Sequence, residues 1–425
     1  MTIGTQVLTG ARDRLLPASV PYAFFGVACL FHLLAWGVFL HGAALVPGYA
    51  GGPGEVLAAI HLITLGVLAM TAMGAACQLL PVATRVPLWR VWPARLSFWL
   101  AAPGVALLDL GMAGVRQWAM SAGGGLVAAG LGVFALLIAG NLARARGLPA
   151  VIAHGWASLI ALVGLVALGL VLIGNYAVGY LDDPARLAHA HMTLGIFGFM
   201  TLLAFGFSHI LIPMFALSRT LPVRWAWAEF ALSALAVAAA VGAIAAGSGP
   251  ALALSAVIGL AAVAAYFRLM QTAMRTRMRK RLGARLRAGA RLLGLSRPGD
   301  GAGAGAGGGP RGAQRCDAVL VSGPRRLAVD LPHRGAATDH AVSGHHARRR
   351  QERAAAARLR TFLGTAAAGA CRVALAAIPL IAAGIVLEMA LPVRIGAAAG
   401  LAGAAAFGVF GIKVFAGLRR IMRTD

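Results

Sequence analysis

Runs of about twenty apolar residues recur along this chain, and no other feature restricts its fold as strongly. A helix needs about that length to cross a hydrocarbon core ~30 Å thick. Outer-membrane strands are instead roughly ten residues long and alternate polar with apolar, a pattern these runs lack. With 60% of 425 residues hydrophobic and 12% charged, the chain reads as an all-α, polytopic transmembrane helical bundle in contact with the lipid bilayer. Spans are expected at 21–46, 56–82, 96–115, 120–140, 150–173, 187–217, 226–247 and 250–267, then at 365–391 and 394–417, ten in all.

Arginine placement orients these spans. Arg12 and Arg14, then Arg85, Arg90 and Arg95, then Arg144 and Arg146, then Arg219 and Arg224, then the cluster from Arg268 to Arg281, all fall on one side. The opposite loops, "HGAALVPGYAGGPGE", "GNYAVGYLDDPARLA" and "GSGP", are poor in basic residues, and only Arg116 and Arg186 break the pattern. The positive-inside rule then makes both termini cytoplasmic in a bacterial inner membrane. No cleavable signal is expected, because no apolar core precedes Pro21. Cys29, Cys77, Cys316 and Cys371 show no CxxC spacing, so neither a disulfide framework nor a zinc site is indicated.

The chain divides into a bundle of about eight helices (1–267), a basic Gly/Ala/Arg-rich cytoplasmic segment (268–361) and a C-terminal helix pair (362–425). Two readings of residues 284–361 stand side by side. One is a basic linker with affinity for anionic lipid headgroups or nucleic acid. The other is a compensated frameshift. Read one base later in GC-rich codons, Arg285 to Leu293 becomes "AFVLVRASW", and the stretches that follow also turn apolar. An intact relative would then have twelve spans, and this chain would be a damaged copy. Much of the net charge of +25 comes from this segment, so no nucleic-acid partner is inferred from charge, and no function is rested on His333, His340, His345 or His346.

Two spans share a spacing. "GVLAMTAMGAACQLLP" places Gly66, Gly74 and Pro81, and "GFMTLLAFGFSHILIP" places Gly198, Gly206 and Pro213. Glycines eight apart lie near one helix face, where a neighbouring helix or a flat ring can approach closely. Each of these spans also carries histidine near its outer end: His61 in the first, His189 and His191 in the second. An ionisable residue inside a span is a functional-site hypothesis by default. Residues two apart point roughly 200° away from each other on a helix, so His189 and His191 serve different partners. His61 with one of them can supply both axial nitrogens of a bis-imidazole haem. His209 lies about 27 Å further along the helix than His191, too far to bind the same iron.

An outward histidine on the second helix, an H-x-H on a later helix and an apparent twelve-span original resemble subunit I of the haem–copper oxidase and nitric-oxide reductase superfamily. The segments "HLITLGVLAMTAMGAACQLLP" and "HMTLGIFGFMTLLAFGFSHILIP" are similar to bacterial oxidase-subunit-I-like membrane proteins. The resemblance implies that His61 and His191 hold a low-spin haem and that His189 holds a second haem. It also implies electron transfer or the handling of nitric oxide or oxygen, with a redox partner such as a c-type cytochrome or quinol. This sequence departs from the superfamily in having neither an in-membrane HH pair nor an H-x3-Y, so a copper site is not expected.

Secondary candidates are His32 at mid-membrane, His154 and His209 near the cytoplasmic side, and Asp109 as a proton-relay carboxylate. Glu55, Glu388, Asp182 and Asp183 read as solvated, and Trp89 and Trp92 as an interfacial anchor. The competing function is a cofactor-free transporter or assembly factor, whose histidines relay protons or bind copper transiently.

Overall fold

In lipid no water satisfies backbone N–H and C=O groups, so a spanning segment closes its own hydrogen bonds as a helix. The structure, a computed structural model, describes residues 16–278 and 375–422, and among these there are only helices, turns and irregular connections. In order they are α1 (Ser19–His41), α2 (Glu55–Thr84), α3 (Trp92–Ala113), α4 (Gln117–Leu142), α5 (Pro149–Val178), α6 (Pro184–Ala216), α7 (Val223–Ala245), α8 (Gly249–Arg275), α9 (Leu375–Val386) and α10 (Ala390–Met422). All but α9 are long and apolar enough to cross a membrane, which makes this a multi-pass membrane protein. The span expected at 365–391 is described only over α9. The basic segment at 284–361, with its two readings, lies outside the described residues. α8 runs on to Arg275, two turns past its expected end at 267.

Local chemistry starts and stops the helices. Pro93, Pro149, Pro184 and Pro250 sit in first turns, where a missing N–H costs nothing. The Asp183 carboxylate accepts the Arg186 N–H at 3.0 Å and caps α6, and the Ser248 hydroxyl accepts the Ala251 N–H at 3.4 Å and caps α8. Phe24, Met73 and Phe134 fill the centre of the bundle, whereas Leu136, Ile160 and Leu260 point outward with at least 70% of their surface uncovered. An apolar exterior of this kind faces lipid.

The eight helices α1–α8 are one four-helix unit used twice. In α2 the stretch Leu62–Ala69 is π-helical, and in α6 so is Leu194–Thr201. At the same constant offset Gly66 corresponds to Gly198, Gly74 to Gly206 and Pro81 to Pro213. Both helices end on a non-glycine residue in the left-handed region, Arg85 (φ 60°) and Leu217 (φ 50°). The next hairpin turns match bond for bond. Arg116 N–H donates to Gly111 C=O as Ser248 N–H does to Ala243 C=O, and the residue before each has positive φ (Val115, Gly247). Four is an even number of spans, so both units begin at the same face of the membrane. That face, where α1, α3, α5 and α7 start, is called the arginine-rich end below.

Neighbour relations repeat as well: α1 packs on α2 as α5 does on α6, and α3 on α4 as α7 does on α8. The outer side of α5 is covered by α4, with Gln117 donating to the Ile173 carbonyl at 2.8 Å. The outer side of α1 is covered instead by α10, where Gly400 lies against the Trp36 indole.

Candidate metal centres

The paired glycines act in helix packing. A Cβ on Gly66 or Gly74 would come within 2.7 or 2.8 Å of Phe31 or Phe24 on α1. On Gly198 or Gly206 it would come within 2.7 or 2.8 Å of Ala161 or His154 on α5. The glycines thus let α2 close onto α1 and α6 onto α5; the faces they clear are occupied by helices. The π-helical stretch that follows the histidines in each span adds a residue to the turn and rotates everything after it relative to an ideal α-wheel.

This packing brings His61 and His191 together, at the end of the bundle opposite the arginine-rich one. Their ring centres are 6.3 Å apart and their planes differ by 26°. His61 Nδ1 lies 3.0 Å from the Leu57 carbonyl one turn earlier, and His191 Nδ1 lies 3.0 Å from the Leu165 carbonyl on α5. A carbonyl only accepts, so each Nδ1 carries the proton and each Nε2 keeps a free lone pair. Gly169 makes room for the second ring, since a Cβ there would meet His191 Cε1 at 3.0 Å. A direct N–H···N bond between the rings would bring their centres to roughly 5 Å. A metal between the two nitrogens, with bonds of ~2.0–2.1 Å each, would set them about 6.3 Å apart.

A second cluster lies towards the arginine-rich end. His154 on α5, His209 on α6 and Glu229 on α7 offer three ligand atoms within 4.8 Å of one another, and all three residues are buried. His154 Nε2 and His209 Nε2 each lie 3.2 Å from Glu229 Oε2. Neither contact has the geometry of a hydrogen bond, so these three atoms have no hydrogen-bond partner. Two of the three groups are held from behind: His154 Nδ1 donates to the Ala150 carbonyl at 2.8 Å and Ser233 Oγ donates to Glu229 Oε1 at 2.8 Å, whereas His209 Nδ1 has no hydrogen-bond partner among the described residues. Aromatic rings wall the cluster, Phe230 with its centre 4.9 Å from His154 and Tyr266 6.4 Å from His209. His209 is thus drawn to α5 and α7, away from the histidines at the other end of its own helix.

The remaining candidates are dispersed. His189 is exposed and lines a surface groove with Asp183, Arg186 and Gly247. His32 accepts the Trp36 indole N–H at 3.0 Å and meets Phe407 of α10 edge-on, so one of its ring nitrogens is already used. Asp109 is buried near the end of α3 opposite the arginine-rich one, with neither carboxylate oxygen hydrogen-bonded among the described residues. Glu55 pairs with His41 at 2.9 Å, and Trp89 and Trp92 are exposed beside the arginine-rich end.

Glu229 is the residue that the sequence reading passed over. The signal was present: "RWAWAEF" puts one carboxylate inside a span, about as deep from the arginine-rich end as His154 and His209. No protein-family model, no curated protein and no solved structure matches this chain.

Proposed function

We propose that this protein is a haem-binding electron carrier of the bacterial inner membrane, with both termini cytoplasmic and with His61 and His191 as the two axial ligands of a low-spin haem. The observation that carries this reading is the ring pair, 6.3 Å between centres with both Nδ1 atoms hydrogen-bonded to backbone carbonyls. His61 and His191 would hold the haem, which when bound would supply one-electron transfer.

The chain's own residues prepare the site. The Leu57 and Leu165 carbonyls hold each imidazole in the tautomer that presents Nε2, and they raise its basicity as second-shell acceptors do. Because Leu165 lies on α5, the orientation of His191 depends on α6 docking there. Gly198 and Gly206 permit that docking. A c-type cytochrome or a quinol is the class of redox partner that fits a haem near the outer membrane face.

The test is a dithionite-reduced minus oxidised absorption spectrum of the full chain, purified in detergent. Sharp Soret and alpha bands are expected in the native protein. They should be lost in His61→Ala and in His191→Ala, and retained in His189→Ala. A native protein without bands overturns the proposal and leaves the cofactor-free transporter or assembly factor.

A further inference from the structure

We propose that His154, His209 and Glu229 form a second site, independent of the haem, that binds a divalent first-row transition-metal ion of the zinc or ferrous type. Its ligands would be His154 Nε2, His209 Nε2 and Glu229 Oε2, contributed by three successive helices.

The distances agree with this assignment. In a tetrahedral site with bonds of ~2.0–2.1 Å, ligand atoms lie about 3.3 Å from one another. The two nitrogen–oxygen separations here are both 3.2 Å. Atoms that close would normally share a well-formed hydrogen bond, yet all three are buried without one. A common third point for the lone pairs explains both the approach and the missing bond.

The surroundings agree as well. His154 is oriented by the Ala150 carbonyl and Glu229 by the Ser233 hydroxyl, the outer-shell arrangement that ligating imidazoles and carboxylates require. His154 and Glu229 have no solvent-accessible surface and His209 retains 8%. A carboxylate so enclosed in a membrane needs a positive partner, and both ion-pair contacts of Glu229 Oε2 are to imidazole nitrogens. Two imidazoles and a carboxylate select zinc or ferrous iron over calcium and magnesium, which take oxygen ligands, and over cuprous copper, which takes sulfur. Gly206 is part of the construction, because a side chain there would strike the Cβ of His154 at 2.8 Å. The ion would tie α5, α6 and α7 together at the arginine-rich end.

The experiment uses the full chain in detergent, stripped with chelator and then titrated separately with Zn²⁺ and, anaerobically, with Fe²⁺. Metal per chain is read by mass spectrometry after desalting, and haem on the same samples by pyridine haemochrome. One equivalent of one of these ions beyond the haem iron is expected in the native chain, with none beyond the haem iron in Glu229→Gln or in His209→Gln. Haem content should be unchanged in Glu229→Gln, so failure of the haem reading cannot be mistaken for failure of this one. Where a variant elutes as an aggregate, X-ray absorption on the metal-loaded native chain takes its place and should show imidazole back-scattering from two histidines. A native chain that retains neither ion, a Glu229→Gln chain that binds as tightly as native, or a spectrum without imidazole overturns the proposal.

Discussion

The units α1–α4 and α5–α8 share a backbone and differ in their chemistry. Every conformational device recurs at the constant offset: the π-helical stretch, the two glycines, the terminal proline, the left-handed cap and the three-residue hairpin turn. The polar residues do not recur. Where the second unit has His154, His209 and Glu229, the first has Tyr22, Cys77 and Ser97. Where the first has His61 the second has Thr193, and opposite His191 stands Ala59. What repeats is the set of residues that let backbones approach or turn, because their effects depend on local geometry alone. A ligand is useful only beside partners from other helices, so it can be kept in one copy and absent from the other.

The largest effect expected from disturbing this comparison is at the His61–His191 pair proposed to hold haem, because it draws one histidine from each unit. Replacing either His61 or His191 by alanine should remove the low-spin spectrum altogether, as reduced-minus-oxidised difference spectra would show. Equal loss from both sides would mean that the site belongs to neither unit alone.

A smaller effect separates the two hairpins. In α3–α4, Gly104, Gly111, Gly123 and Gly130 allow backbone-to-backbone contact, and a Cβ on Gly123 would sit 2.3 Å from the Leu108 nitrogen. The matching positions in α7–α8 are Ala236, Ala243, Ser255 and Ala262, so that hairpin already accommodates a side chain at each. Gly123→Ala should therefore destabilise by about 1–3 kcal/mol or more through overpacking. Ser255→Ala loses only the hydroxyl bond to the Leu252 carbonyl, roughly 0.5–1.5 kcal/mol. Thermal unfolding in detergent compares the two, and equal shifts would break the distinction.

Gly206 and Gly74 occupy matching positions, and each would place a Cβ 2.8 Å from a side-chain Cβ of the preceding span. Both alanine variants should lose a similar stability, about 1–3 kcal/mol. Only Gly206→Ala should also lose bound metal, because its neighbour is His154 where that of Gly74 is Phe24. Metal content after desalting, measured beside the melting temperature, checks the difference.

The smallest effect is at the helix starts. α6 is capped by the Asp183 side chain, whereas α2 begins at Gly54 with no side-chain cap. Asp183→Ala should cost about 0.5–2 kcal/mol. Gly54 takes φ 151°, so alanine there should be strained for a backbone reason instead. Hydrogen exchange at the first turn of each helix distinguishes fraying from strain.

How much of this was legible in the chain varies from residue to residue. His61 and His191 were matched in depth because each lies near the start of a span entering from the same side, and depth follows from counting. The Gly–Gly–Pro spacing was visible too, but it left open whether a helix or a flat ring used the cleared face. Phe31, Phe24, Ala161 and His154 occupy those positions. The in-span carboxylate of Glu229 and its depth are legible in the sequence, but only packing of α7 beside α5 and α6 makes it part of a donor set with His154 and His209. The π-helical stretch after His191 defeats wheel arguments, because it rotates His209 by an amount that residue counting does not include.

The sequence by itself determined that this is an all-α bundle of lipid-facing spans, and where those spans lie, because lipid forces each apolar run to satisfy its own backbone. It determined the depth of each histidine for the same reason, rise per residue being nearly constant along a helix. Only the tertiary structure decided which depth-matched groups meet. That choice depends on which helices are neighbours and how each is rotated about its axis, and these are set by close contacts at Gly66, Gly123 and Gly206 between residues far apart in the chain.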